Sequence, residues 1–309
     1  MSIFSDKFDQ LKKADKAVKS PKYLQEVMGI GRIAENGIFE VGKGIYSKTY
    51  RFLDINYVTA GAEEQMRILK QYCKTVNAID VYFLITIFNR NKNMQDFREH
   101  VLFQEKGDGF NWLRGSYNQI IEKRIVDGRQ GIEQEKLLTV CVERKSYEQA
   151  KAFFATFEAT LKQNFGELGS CIEELNAEER LRVLFNFYRI GEEEQFSFDF
   201  RQALKKGGDP KNDISPGYMQ FYPGYFETER KKCRALFIKK YPSSLSDTFL
   251  NEITSLPVHS ITTICIVPVP KELANKVLQK KYLGIENDIL KQQRVRNKNN
   301  DFSTEISYA

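Results

Sequence analysis

The chain has 309 residues, 41% of them hydrophobic and 13% aromatic, and a formal net charge of +6. These values describe one large or two smaller globular domains and exclude a disordered or low-complexity chain. The sequence holds no apolar run near the roughly 18 residues of a membrane span, and its opening MSIFSDKFDQLKK lacks the apolar region of a secretory signal; five scattered cysteines (Cys73, Cys141, Cys171, Cys233, Cys265) and two isolated histidines (His100, His259) argue against a disulfide framework, a zinc site or a histidine-based triad.

Residues 1–28 are lysine-rich, with Phe4, Phe8, Leu11 and Val18 on a partial helical stripe, and read as a docking helix or a loose arm. NGIFEVGKGIYSKTYRF follows at 36–52. From Gly37 it agrees with the phosphate-binding pattern G-x-x-x-x-G-K-[ST] at every position but the last, where Gly44 replaces the hydroxyl that would hold Mg²⁺. A phosphate loop must follow a buried strand and open a helix. Here the preceding GIGRIAEN is too polar and glycine-rich for a central strand. The following residues alternate at period two, with Tyr46, Lys48, Tyr50 and Phe52 set against Ile45, Ser47, Thr49 and Arg51. Gly37, Gly42 and Lys43 therefore read as parts of a hairpin and its turn, not as a nucleotide cradle.

A helix is expected over 60–76, with Met66, Leu69, Tyr72 and Cys73 on one side. VYFLITIF (81–88) reads as a buried strand, and 94–98 as a short loop or turn. Gly107-Asp108-Gly109 is only a fragment of a calcium-loop pattern. Residues 110–126 read as a helix with Trp112, Leu113, Tyr117, Ile120 and Ile121 at helical spacing, and Lys136 to Glu143 as a strand. Ser146-Tyr-Glu-Gln is a capping-box pattern that opens a helix over 147–165. Cys171 to Leu175 suits an edge strand. Asn176 with Glu179 three residues later starts a helix carrying Leu181, Val183, Leu184, Phe187 and Tyr188.

Residues 191–230 are irregular, and KKGGDP, SPGY and YPGY mark turns. Tyr218, Phe221, Tyr222, Tyr225 and Phe226 have the composition of a single-strand stacking platform, but their prolines and turns favour a packed loop. Strands are expected at 235–238 and 261–267, with a short helix near 246–253 between them. After Pro268-Val269-Pro270 a long helix is expected from Lys271 to Lys298. It carries eight basic against three acidic side chains, which is five of the chain's net +6. Such a helix contacts nucleic acid or an anionic membrane surface, or is a solvated face or a joint to an acidic partner. Its candidate contacts to an anionic partner are Lys280, Lys281, Lys291, Arg294 and Arg296.

The expected fold class is α+β: helices packed on mostly antiparallel sheet, in ferredoxin-like or split βαβ units, ending in the long C-terminal helix. The arm at 1–28 would precede a first α+β subdomain at 29–170 and a second at 171–305. No catalytic or metal-binding residue stands out.

Several long stretches resemble one family: ENGIFEVGKGIYSKTYRFLDINY (35–57), KGDGFNWLRGSYNQII (106–121), GSCIEELNAEERLRVLFNFYRIGEE (169–193), IVPVP (266–270) and LGIENDILKQQRVRNKNNDFS (283–303). They are similar to the N-terminal half of the VirB-type conjugative-transfer ATPases of type IV secretion systems, in the TraE/TrsE-like branch carried by conjugative elements of Gram-positive bacteria. The resemblance implies an N-terminal α+β domain that docks on inner-membrane secretion subunits at the cytoplasmic face of the membrane. It also implies a separate RecA-like motor binding ATP and Mg²⁺, oligomers that are often hexamers, and a role in moving DNA–protein substrates between cells. This chain has no complete Walker A motif, so no catalytic residue and no cofactor of the family carries over to it. The expectation is a docking and regulatory domain without an ATP site of its own. The alternative is a nucleic-acid-binding domain that grips transferred DNA through the basic helix, and a third is a free-standing NTPase using the Gly37 loop.

Overall fold

A computed structural model of the chain describes residues 23–91, 101–127, 132–192, 195–207, 209–229, 231–241, 244, 249–256, 258–269, 272–284, 291 and 293. A one-turn helix α1 (Leu24–Val27) leads to strands β1 (Phe39–Gly42) and β2 (Ile45–Phe52), helix α2 (Ala62–Ala78) and strand β3 (Phe83–Asn91). Helix α3 (Asn111–Asp127), strand β4 (Ile132–Glu143), helix α4 (Tyr147–Leu168), strand β5 (Ile172–Glu174) and helix α5 (Ala177–Tyr188) follow. Next come the short helices α6 (Phe200–Lys206) and α7 (Lys211–Ile214) and the strands β6 (Met219–Tyr222), β7 (Tyr225–Thr228) and β8 (Lys231–Cys233). Helix α8 (Phe249–Thr254) and strand β9 (Ser260–Ile266) complete this order, and residues 272–284 are helical.

The main sheet is antiparallel throughout, in the order β1-β2-β4-β3-β9, and β5 shares the outer edge of β2 with β1. β2 and β3 each pair antiparallel with β4 between them, so they run parallel to each other and are joined by α2. β4 and β5 flank β2 in the same way and are joined by α4. Two interleaved βαβ units of this kind make the split βαβ arrangement, and the fold class is α+β. The unit closes only with β5, and β9 joins the same sheet beside β3. One sheet thus draws strands from both sides of residue 170, where the residue pattern placed a subdomain boundary.

The alternation along β2 explains its position. Tyr46, Tyr50 and Phe52 face α2 and α4 in a core with Phe83, Leu138, Val140, Val142, Phe154 and Leu161. On the opposite face the Thr49 and Thr139 hydroxyls meet at 2.9 Å across β2 and β4, and Phe39 packs with Leu181 and Phe185 of α5. The helix boundaries follow from their caps. The Ser146 hydroxyl accepts from the Gln149 N–H, and α4 stops at Gly169 with φ 82°. Asn176 and Glu179 form a reciprocal capping box that starts α5.

Two expectations need correction, and two helices turn a different side inward than their apolar spacing suggests. The stripe Met66, Leu69, Tyr72 and Cys73 on α2 faces solvent, while Ile68 and Thr75 are buried. Residues 235–238 pair with no strand, and Leu236 and Phe237 are exposed. The aromatic stretch is no packed loop: β6, β7 and β8 form a separate three-stranded antiparallel sheet, with Pro223-Gly224 as a hairpin turn. In α5, Phe187 is exposed and the buried positions include Arg180 and Asn186. The stretch 94–98, most of the arm at 1–28 and most of the C-terminal helix beyond residue 284 lie outside the described residues.

Candidate functional site

Gly42 pairs with Ile45 across a two-residue Lys43-Gly44 turn, and β2 begins directly after it. Lys43 is exposed, and Gly44 has φ 72°. The backbone N–H groups that would face a phosphate at a helix start belong here to a strand ladder. Gly37 has a different task. Its φ is 77°, and a Cβ there would lie 2.0 Å from the Leu175 carbonyl oxygen. Only glycine lets the hairpin pass this close to the start of α5. Residues 31–34 run along β1 and cover its edge: the Gly31 N–H donates to the Glu40 carbonyl at 2.6 Å and the Glu40 N–H to the Arg32 carbonyl at 2.8 Å.

Two buried cations fix this region. The Arg180 guanidinium of α5 donates to the Gly37 carbonyl at 2.6 Å, to the Ser47 carbonyl at 2.8 Å and to the Ser47 hydroxyl at 3.1 Å. It also stacks 3.9 Å from the centre of the Phe39 ring. Burial pushes its pKa down to about 9, so it stays cationic at neutral pH. On the other face of β2, the buried Lys48 ammonium pairs with Glu174 of β5 and, at 3.4 Å, with Glu158 of α4. Burial raises the Glu158 pKa, and a hydrogen bond shared with Glu174 adds to the rise. Both constellations join elements of the fold: Arg180 ties α5 to the hairpin, and Lys48 ties β2 to β5 and α4. Arg180 left no signal in the sequence because it sits among the ordinary charges of an amphipathic helix. Lys48 shows only as a charge on the apolar side of the β2 alternation.

The surface with the strongest functional character is the arm that contains α3. It is inserted between β3 and β4, which pair to their very ends through Asn91 and Ile132. Asp108 opens the arm: its carboxylate accepts a forked hydrogen bond from Arg114 and another from the Phe110 N–H at 3.2 Å. The Arg114 hydrogen bond holds the Asp108 carboxyl down at about 2. Asn118 both donates to and accepts from the Phe103 backbone, at 2.9 and 3.0 Å, and the Phe103 and Tyr117 rings sit 5.2 Å apart. The arm is braced by its own contacts, yet it leaves Phe103, Phe110, Leu113, Tyr117 and Ile120 exposed, and Trp112 is 70% exposed. Helical spacing found Trp112, Leu113, Tyr117 and Ile120, but it could not tell a core stripe from an open one.

Lys280 and Lys281 are exposed on the helical segment 272–284, where Leu278, Tyr282 and Leu283 are exposed as well. Lys291 is helical and exposed, and Arg294 and Arg296 lie outside the described residues. Among the described residues no cluster of three or more His, Cys, Asp or Glu side chains is arranged to hold a metal ion. No helix among them is long and apolar enough to cross a membrane. Compared with family models and with curated proteins, the chain matches none.

Proposed function

We propose that this chain is a docking and regulatory domain of a type IV secretion ATPase, and that the α3 arm seats it on an inner-membrane subunit of the apparatus. The observation that carries this reading is the open apolar face of α3: Trp112, Leu113, Tyr117 and Ile120 lie on one inserted helix and are all exposed. Burying such a side chain fully is worth about 1.5–3 kcal/mol, so four of them make a strong anchor for a partner surface. The partner's identity rests on the resemblance of 35–57, 106–121, 169–193, 266–270 and 283–303 to the secretion ATPases. KGDGFNWLRGSYNQII, one of those stretches, is the arm itself. The hairpin geometry at Gly42-Lys43-Gly44 supports a domain that does not turn over ATP by itself. A location at the cytoplasmic face of the membrane belongs to the same proposal.

Co-expression with polytopic inner-membrane subunits of a type IV secretion apparatus, followed by detergent extraction and affinity purification, tests it. The wild-type chain should retain one such subunit, and the pair Trp112→Glu with Ile120→Glu should lose it while keeping the same melting curve. Purified chain should show no ATP turnover, and Lys43→Ala should change nothing. Turnover abolished by Lys43→Ala, or retention unaffected by the double variant, would refute the reading.

A further inference from the structure

We propose that the three-stranded sheet β6–β8 is a binding surface for single-stranded nucleic acid. Register sorts its side chains into two faces. Phe221 pairs with Phe226 and Phe226 with Cys233, while Met219 pairs with Thr228 and Thr228 with Lys231. One end of that face turns toward the body, where the buried Thr228 hydroxyl donates to the Tyr188 carbonyl at 3.2 Å, while Phe221 at the hairpin end is 75% exposed. Tyr222 with Tyr225, and Gln220 with Glu227 and Lys232, make the opposite face. Alternation adds Tyr218 and Arg234 to it.

This second face carries the two elements that strand-tracking surfaces combine, ring faces and cations. The Tyr222 and Tyr225 rings are stacked, with centroids 4.8 Å apart and planes at 15°. The Lys232 ammonium sits 5.6 Å over the Tyr225 ring, and Arg234 donates to the Gly224 carbonyl at the hairpin tip. Tyr218 is exposed at the far end of the face. Two carboxylates stand close by. Glu227 lies between Gln220 and Lys232, and Glu229 accepts from the Gly217 N–H. Beyond them the charge is of one sign: residues 231–241 hold five basic and no acidic side chains. Phe237, in that stretch, is 85% exposed beside Lys239 and Lys240.

Flat rings with polar tips suit the π-face of a base, and cations along the strand direction suit a phosphate backbone. Aliphatic side chains, which would point to a protein partner, are absent from the tyrosine face. The surface would be tolerant of sequence, because it offers stacking and charge rather than a groove-reading element. It is independent of the α3 arm, so the two readings can fail separately.

The test is fluorescence anisotropy of the purified full chain with a labelled oligo-dT of about 20 nucleotides, repeated between about 50 and 200 mM salt. Binding should weaken steeply with salt. Tyr222→Ala with Tyr225→Ala should weaken it about tenfold or more, while Tyr222→Phe with Tyr225→Phe should hold it within about twofold. Lys232→Gln should lower the slope of log affinity on log salt by about 0.7. This variant sits on an exposed position and keeps the test decisive if the alanine pair does not fold. Three results would overturn the proposal: no binding at the lowest salt, binding indifferent to both the alanine pair and Lys232→Gln, or binding lost instead on Lys280→Gln with Lys281→Gln. Capture by phosphatidylglycerol vesicles through these same tyrosines, without oligonucleotide binding, would reassign the face to a bilayer surface and overturn it equally.

Discussion

Arg180 is a buried cation whose hydrogen bonds run to neutral oxygens, two of them main-chain carbonyls on opposite strands of the glycine hairpin. One guanidinium nitrogen donates to both carbonyls and the other to the Ser47 hydroxyl, a planar spread of donors over the Phe39 ring that an ammonium does not reproduce. Arg180→Met strands the Gly37 and Ser47 carbonyls, and each orphaned buried group costs about 1–3 kcal/mol. The urea midpoint should fall accordingly, and Arg180→Lys should recover only part of it. Gly37→Ala should cost about 2 kcal/mol or more, because its backbone conformation and the Leu175 carbonyl both oppose a Cβ. Gly166→Ala, inside α4 with open space around it, should instead stabilise by about 0.5–1 kcal/mol. Chemical denaturation of the four variants side by side measures the contrast.

At the scale of the element, α3 depends on the Asp108–Arg114 fork at its start. The Asp108 carboxyl is held at about 2 when folded, against about 3.9 in an unfolded chain. A depressed acid contributes its stability in full above the unfolded value and loses it as pH falls through the folded one. The arm should therefore loosen between about pH 4 and pH 2. Trp112, the only tryptophan of the chain, reports it by emission, and the step should be absent from Asp108→Asn. Elements were legible in the sequence wherever local chemistry decides them. The period-two run of β2, the N-caps of α4 and α5 and the edge strand β5 all show in the residues. Faces were less legible. Met66, Leu69 and Tyr72 share a side of α2 by spacing, but Ile68 and Thr75 are the buried positions of a helix that packs on α4, and only tertiary contact reveals that. Residues 235–238 have strand composition but no partner, since a ladder depends on what lies beside the segment. The proline and glycine of YPGY were visible as a turn, but a turn signal does not distinguish a loop from the tip of a hairpin. Of the candidate site, the glycine pattern could be read as a hairpin because a phosphate loop needs a helix after it. Arg180 and the openness of α3 could not be read from the sequence at all.

The whole molecule is organised by one sheet that gathers strands from residues 39 to 266. The arm is an insertion into it, since Asn91 and Ile132 are cross-strand partners, which places their Cα atoms only about 5 Å apart. Replacing residues 92–131 by Asn-Gly should supply a two-residue hairpin in place of the arm. The shortened chain should lose only the far-UV helical signal of α3 and keep a single unfolding transition while losing the membrane subunit, as circular dichroism, analytical unfolding and co-purification would report. Loss of cooperative unfolding would mean that the arm belongs to the core after all.

The same sheet also sets an order in time. Thr86 and Thr263 touch across β3 and β9, yet 177 residues separate them along the chain. At a synthesis rate of roughly 5–20 residues per second, β9 leaves the ribosome on the order of ten seconds or more after β3. Every strand and helix of the split βαβ unit is translated before then, and contacts this distant in sequence form slowly in any case. The central unit can thus form while one flank of the sheet is still bare, and β9 is the last of the main sheet's strands, among the described residues, to be made.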